Sequence, residues 1–338
     1  MKTGILLLNL GTPDSPAVGD VRKYLREFLM DPRVIDINPV SRWFLINFII
    51  APLRAPKSAK LYESIWTKEG SPLLIHGKSL QAKLSGSLGE NYHVAFGMRY
   101  QSPSLKNALL ELRDKGVDRI IALPLYPQYS SAATGSTIDA INAAKKKIAG
   151  LPEIKIIERF HHLPEYMDAL IETASGFDHR NYDHVLFSFH GVPERQITKT
   201  SHELGDGKCS FGSCCEVITQ RNQYCYRANC VQTARTIAER LSIPKEQYTI
   251  CFQSRLGRTP WLQPFSDQVI ADLAKQGKKK LLVFSPAFVA DCLETIHEIG
   301  VEYNELFREH GGEHVQLVPS LNSSEKWVEG LKNILAKY

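Results

Sequence analysis

Short apolar runs recur along the chain, most of them continuous instead of alternating with polar positions. Continuous runs of this length read as parallel strands covered on both faces. They predict strands over 3–10, 92–98, 119–125, 154–160, 183–190, 247–253, 280–285 and 314–318. Between them lie stretches of helical period. Two of these, "SLKNALLELRDKG" and "SDQVIADLAKQG", end in glycine, a helix C-cap signal. Strands alternating with helices build βαβ units and a doubly wound α/β sheet.

The pattern repeats weakly within the chain. "GILLLNLG" is echoed by "HVLFSFHG", and "VAFGMRYQSPSL" by "ICFQSRLGRTPWL". Each second pair runs strand, Arg-containing loop, helix, glycine, basic turn and strand. The repeat predicts two similar Rossmann-like halves, each with a four-stranded parallel sheet, over 1–165 and 166–320. The last segment, 321–338, is expected as a helix packing back on the first half. Ligands of such sheets bind at the carboxyl ends of the strands, so a single cleft between the halves is expected.

Composition narrows the class. The 338 residues are 43% hydrophobic and 23% charged, which excludes a disordered or fibrous chain. The net charge of +5 does not argue for nucleic acid and suits an acidic substrate or an anionic membrane surface. Lys2 and the short run after it lack a cleavage site, and "WFLINFIIAP" (Trp43–Pro52) is about half the ~20 residues a span needs. The chain is therefore expected in the cytoplasm. Seven cysteines in so long a chain are a poor disulfide scaffold.

Several constellations could carry chemistry. His190 closes an expected strand and precedes Gly191, which lets a ligand approach the backbone. Glu294, Glu298 and Glu302 follow the 280–285 strand at i, i+4 and i+8, on one face of an expected α-helix. Such a row of like charges is unfavourable unless a cation sits among them. Asp291 and His297 add further proton-transfer or metal-binding groups. In "LPLYPQYSSAATGST", Tyr126 and Tyr129 could wall a flat apolar ligand, while Ser130, Ser131 and Thr134 could cap the next helix or bind an anion. No Walker loop is present. Near 40–66, Trp43, Phe44, Phe48, Ile49 and Ile50 are interspersed with Arg42, Arg54, Lys57 and Lys60. This lip-like segment suits an interfacial membrane contact, the mouth of an apolar pocket or a buried helix.

Five motifs in register, "LLNLGTPDSP", "LPLYPQYSSAATGS", "FSFHGVPERQ", "CFQSRLGRTPWLQP" and "AFVADCLETIHEI", resemble the ferrochelatase family over nearly the whole chain. The resemblance implies the chelatase fold and a lyase that inserts ferrous iron into a porphyrin, most simply protoporphyrin IX, as the last step of haem biosynthesis. It implies catalytic roles for His190 and Glu294, and a place in porphyrin binding for Arg99 and Tyr100. Tyr126, Ser130, Thr134 and Trp261 are the further candidate porphyrin contacts. Metalation must remove two pyrrole protons, for which a neutral imidazole is poised near pH 7. It also needs weak ligands for Fe²⁺, and imidazole and carboxylate are suitable. Glu298 and Glu302 then read as a path for the metal behind His190 and Glu294. A chelatase for coproporphyrin or another tetrapyrrole is the near alternative. A haem-binding carrier is the alternative of another class, and it would not need the acidic stripe. A peripheral contact with the inner face of the cell membrane is expected at the lip.

Two departures stand out. Many family members carry a histidine where this chain has Cys292. The second is an insert over 205–230 with Cys209, Cys214, Cys215, Cys225 and Cys230. Cys209 and Cys214 are spaced C-x4-C, as are Cys225 and Cys230. Four thiolates can hold a [2Fe–2S] cluster or a Zn²⁺. With five cysteines for four places, Cys214 and Cys215 compete.

Overall fold

The computed structural model describes residues 1–338 except Leu256 and Arg258. Eight strands form two four-stranded sheets, parallel throughout. The first contains β1 (Thr3–Gly11), β2 (Tyr92–Tyr100), β3 (Arg119–Pro124) and β4 (Glu153–Ile156), in the order β2-β1-β3-β4. The second contains β5 (His184–His190), β6 (Tyr248–Gln253), β7 (Lys280–Phe284) and β8 (His314–Leu317), in the order β6-β5-β7-β8. The two orders are the same, as the internal repeat predicts. Every expected strand is present. β4 ends at Ile156 instead of continuing to 160.

The continuous apolar runs are explained by burial on both faces. Ile5, Leu6, Leu7 and Leu8 have no exposed surface, and neither do Leu186, Phe187, Leu281, Leu282 and Val283. Helix Leu105–Asp114 packs Ala108, Leu109 and Leu112 with Leu6, Leu8 and Ile120. In the second sheet, Ile270 and Leu273 of helix Ser266–Lys275 pack with Leu186, Leu281 and Val283.

The chain forms two compact units. One comprises Met1–Tyr126, Ser131–Glu158 and Val328–Tyr338; the other comprises Pro127–Ser130 and Arg159–Trp327. Residues 159–165 go with the second unit, where Phe160 lies against Tyr166 and Trp327.

Three segments expected as ordinary helix or cap are π-helical: Leu45–Ile50, Ser131–Gly135 and Glu294–Tyr303. π-Helical turns are rare and concentrate at functional sites. The last corrects the α-helix expected for the acidic stripe. Its entry is fixed by side chains: Asp291 accepts hydrogen bonds from Thr295 Oγ1 at 3.1 Å, Ser320 N at 3.2 Å and Asn322 Nδ2 at 2.7 Å. Thr295 Oγ1 in turn accepts from Cys292 N at 3.0 Å.

Candidate active site

In the second unit, His190 ends β5 beside Gln253, the last residue of β6. Its Nδ1 lies 2.6 Å from the Gly191 carbonyl. A carbonyl only accepts, so Nδ1 carries a proton, and in the neutral imidazole the lone pair is on Nε2. Gly191 is required by close packing: a Cβ there would lie 2.8 Å from the Gln253 carbonyl oxygen and 3.3 Å from Trp261 Cε3. Trp261 is thus beside the histidine's strand end. Phe288 adds a half-buried ring, its centroid 6.3 Å from that of His190.

Glu298 has the most elaborate surroundings. It accepts hydrogen bonds from Gln253 Nε2 at 3.1 Å, Ser254 N at 3.0 Å, Tyr303 Oη at 3.0 Å and the Ser254 hydroxyl. Gln253 is itself held, its Oε1 accepting from Ser188 Oγ at 2.7 Å. Burial raises the Glu298 pKa above the usual carboxylate range. The Ser254 hydrogen bond and the neighbouring His190 oppose that rise, while Glu294 adds to it. These mutual influences place His190, Glu294 and Glu298 in one electrostatic neighbourhood.

Glu298 and Glu302 line an open hollow of about 480 Å³ whose wall also includes Glu305, Glu309 and Asp267, the last paired with Arg255 at 2.9 Å. Glu302 is exposed and lies 3.5 Å from His297 Nε2. Glu294 is half-buried beside Cys292, whose buried thiol is pushed well above its ordinary pKa, chiefly by desolvation. The stripe therefore runs from a half-buried carboxylate through a tethered one to an exposed one.

In the first unit, Arg99 is half-buried and committed to internal partners. Its Nη2 lies 2.5 Å from Asp31 Oδ2, and its Nε donates to Ser136 Oγ at 2.7 Å. Tyr100 is 1% exposed, with its hydroxyl 3.0 Å from Asp31 and 3.1 Å from Ser136. The Tyr100 hydroxyl is thereby turned to the Arg99–Asp31 pair, which it helps to orient. Tyr126 remains half-buried with its hydroxyl turned inward. Thr134 has no exposed surface, and Ser130 is buried. Nor do the hydroxyls cap the next helix. Helix Ser136–Lys147 has Gly135 as its N-cap and no side-chain cap, because the π-turn leads straight into it. Ser131 instead accepts from Arg33 Nη1 at 3.1 Å.

The lip has two faces. Ile46 and Ala51 are fully buried, whereas Trp43, Phe44, Phe48, Ile49 and Leu53 are exposed, Phe48 by 62% and Leu53 by 74%. The rings of Trp43, Phe44 and Phe48 cluster at centroid distances of 5.0, 5.4 and 5.7 Å. Arg42 departs from the expected cationic fringe. It is buried, with Nη1 donating to the carbonyls of Ile35 and Ile37.

The insert's cysteines are all free thiols. Cys214 and Cys215 have their sulfurs 3.8 Å apart. Cys215 lies beside Cys225 and Cys209 beside Cys214, while Cys230 is fully buried next to Tyr226. Among the described residues no group of three or more His, Cys, Asp or Glu side chains is disposed to hold a metal ion. Cys209, Cys214, Cys215 and Cys225 are thus neighbours in a connected run, without the disposition of a four-ligand cage.

The model of the ferrochelatase family matches residues 2–338. The chain belongs to the ferrochelatase family. It is 46% identical to a ferrochelatase of Legionella pneumophila (strain Paris) over 335 residues, covering 99% of both chains. It is 41% identical to one from Coxiella burnetii (strain Dugway 5J108-111), covering 99% of this chain and 94% of the relative. The fold is similar to that of the sirohydrochlorin chelatase SirB from Bacillus subtilis, solved with cobalt. That match has a TM-score of 0.52 at 11% identity and covers 100% of this chain and 95% of the other. The ferrochelatase motifs had singled out His190 and the acidic stripe. They had not assigned Gln253, Ser254 or Tyr303 to Glu298, or Asp31 to Arg99, although "CFQSR" was among the quoted stretches.

Proposed function

We propose that this ferrochelatase inserts ferrous iron into protoporphyrin IX, with His190 Nε2 accepting the two pyrrole protons in turn, releasing the first to solvent before taking the second, and Glu294 passing the metal to the ring. The observation that carries this assignment is the Nδ1 contact to Gly191, which leaves Nε2 as the basic atom at the strand end. Iron reaches Glu294 from the acidic hollow by way of Glu302 and Glu298. Glu298, held by the neutral donors of Gln253, Ser254 and Tyr303, can exchange a proton for a cation as iron passes. Arg99, Tyr126, Ser130, Thr134 and Trp261 shape porphyrin binding, Thr134 from a buried position. The test is anaerobic incubation with Fe²⁺ and either protoporphyrin or coproporphyrin, following the loss of porphyrin fluorescence. A protein that binds either porphyrin but metalates neither would overturn the reading.

The exposed Trp43, Phe44, Phe48, Ile49 and Leu53 support reversible contact with a membrane surface, through apolar side chains set among Lys57 and Lys60. No helix of the described residues is long and apolar enough to cross a membrane. Co-sedimentation with anionic vesicles tests the contact, and Trp43→Ser, Phe44→Ser and Ile49→Ser should abolish it.

The donor chemistry of the insert supports a [2Fe–2S] cluster on Cys209, Cys214 or Cys215, Cys225 and Cys230, with closure of the neighbouring thiols accompanying assembly. A colourless protein carrying one zinc, or active with no metal on the insert, would remove this assignment. Iron and sulfide in equal amounts in anaerobically purified protein would support it.

A further inference from the structure

His190 is held by a peptide whose two polar atoms are both occupied. The Gly191 N–H donates to the Gln253 carbonyl at 2.7 Å, a contact continuing the β5–β6 ladder. The His190 carbonyl accepts from the Tyr226 hydroxyl at 2.8 Å. The next carbonyl, that of Gly191, is the acceptor for His190 Nδ1. The His190–Gly191 peptide is thus one of the supports from which the imidazole's internal partner extends, and its plane bears on where Nε2 points. The sheet supplies one of the two fastenings; the other comes from outside the sheet.

Tyr226 opens helix Tyr226–Arg240, whose N-cap is Cys225 and whose first turns contain Cys230. The side chain is 6% exposed. The helix has other anchors that do not reach the histidine. Asn229 Oδ1 accepts from Tyr129 N at 3.3 Å, and Thr233 Oγ1 accepts from Gln128 Nε2 at 3.1 Å. Among the described residues, the Tyr226 hydroxyl is what joins this cysteine-flanked helix to the carbonyl of His190.

We propose that Tyr226 is a positioning residue for the ferrochelatase reaction, fixing the direction of the His190 imidazole through its main-chain carbonyl and so joining the cysteine insert mechanically to the site of proton transfer. The proposal rests on the reading of His190 as the proton acceptor. Its physical basis is that a small misplacement of a reacting group costs far more in rate than in binding. Removing the hydroxyl frees one end of the peptide while leaving the ring volume in place.

The test compares Tyr226→Phe with Thr233→Val, a change to the same helix that leaves the His190 contact intact. Both are assayed at a temperature where circular dichroism shows wild type folded. Tyr226→Phe should lower kcat by roughly tenfold to a hundredfold, with the porphyrin KM kept within about twofold. In ¹⁵N-histidine spectra its His190 Nδ1–H signal should broaden or shift toward a mixture of tautomers. Thr233→Val should keep both kcat and that signal. An unchanged kcat in Tyr226→Phe, an equal fall in both variants, or loss of the fold in Tyr226→Phe would each overturn the positioning role. A His190→Ala protein with full turnover would instead sink the proton-acceptor reading. An inactive His190→Ala beside a fully active Tyr226→Phe would sink only the role of Tyr226.

Discussion

The end of β2 in the first unit and the end of β6 in the second descend from the same stretch of the internal repeat, and each grips a carboxylate. Both leave the strand through a left-handed residue, Gln101 at φ 65° and Ser254 at φ 64°. At β2 the buried carboxylate is Asp31, met by the full charge of Arg99 as well as by Tyr100 and Ser136, while the exposed Glu27 accepts from Gln101 N at 3.0 Å. At β6 it is Glu298, met among the described residues by the neutral donors of Gln253, Ser254 and Tyr303. The difference decides what each can do. A cation already bonded to Asp31 makes that end a fastening, since either partner left alone would be a poorly solvated charge. Neutral donors orient Glu298 without cancelling its charge, so that a proton or a metal ion can still be its counter-ion.

The comparison predicts that changes at the β6 end damage turnover and changes at the β2 end damage stability. The largest effect should come from His190→Ala, which removes the base beside Glu298. We expect turnover to fall by about 10²–10⁴-fold with porphyrin binding retained, as read by fluorescence titration. Activity above about a tenth of wild type would take His190 out of the mechanism.

Asp31→Asn should come next. Stripping the anion from a half-buried Arg99 should lower the unfolding free energy by about 2–3 kcal/mol in urea titration, at the low end for a broken buried pair because Arg99 keeps some solvent. A stable Asp31→Asn protein with an impaired iron KM would break the comparison.

Glu298→Gln should do the reverse. We expect little change in urea midpoint and a rise of roughly tenfold in the apparent KM for iron, the usual scale for losing a group that assists metal binding. Glu302→Gln should raise it by only about twofold, because an exposed pair is weak. Equal small effects at both positions would reduce the stripe to a solvated acidic face.

The smallest effect is in the pH dependence of stability. Burial holds the folded Glu298 pKa above its unfolded value of 4.5. The stabilisation from retaining that proton is complete below the unfolded value and is lost as pH rises through the raised folded one. Between pH 4.5 and neutrality, wild type should therefore lose more thermal stability than Glu298→Gln, by about 2 °C in melting temperature for a chain of this size. A steeper loss in the variant would mean that Glu298 is held as the anion, like Asp31.

Much of this was legible along the chain. Continuous apolar runs are found only where both faces of a strand are covered, so they specified eight parallel strands and, through the repeat, two sheets of one topology. A histidine closing such a run and followed by glycine pointed to the strand end where ligands bind, and the spacing of Glu294, Glu298 and Glu302 marked the stripe. The partners were not legible. Asp31 lies 68 positions from Arg99, and Ser254 lies 44 positions from Glu298. No local period connects residues that only the sheet and its crossovers bring together. The π-helical winding of 294–303 was hidden for a related reason. α and π turns draw on the same residues, and the choice here goes with the bonds of Asp291 to Thr295, Ser320 and Asn322. Tyr226 was the least visible of all, standing in a cysteine-rich stretch whose chemistry drew the eye to sulfur. Its role depends on one hydroxyl reaching a carbonyl 36 residues away. Burial patterns are written locally because each residue meets solvent or core by itself, whereas a hydrogen bond needs two groups whose meeting is set by the path of all the chain between them.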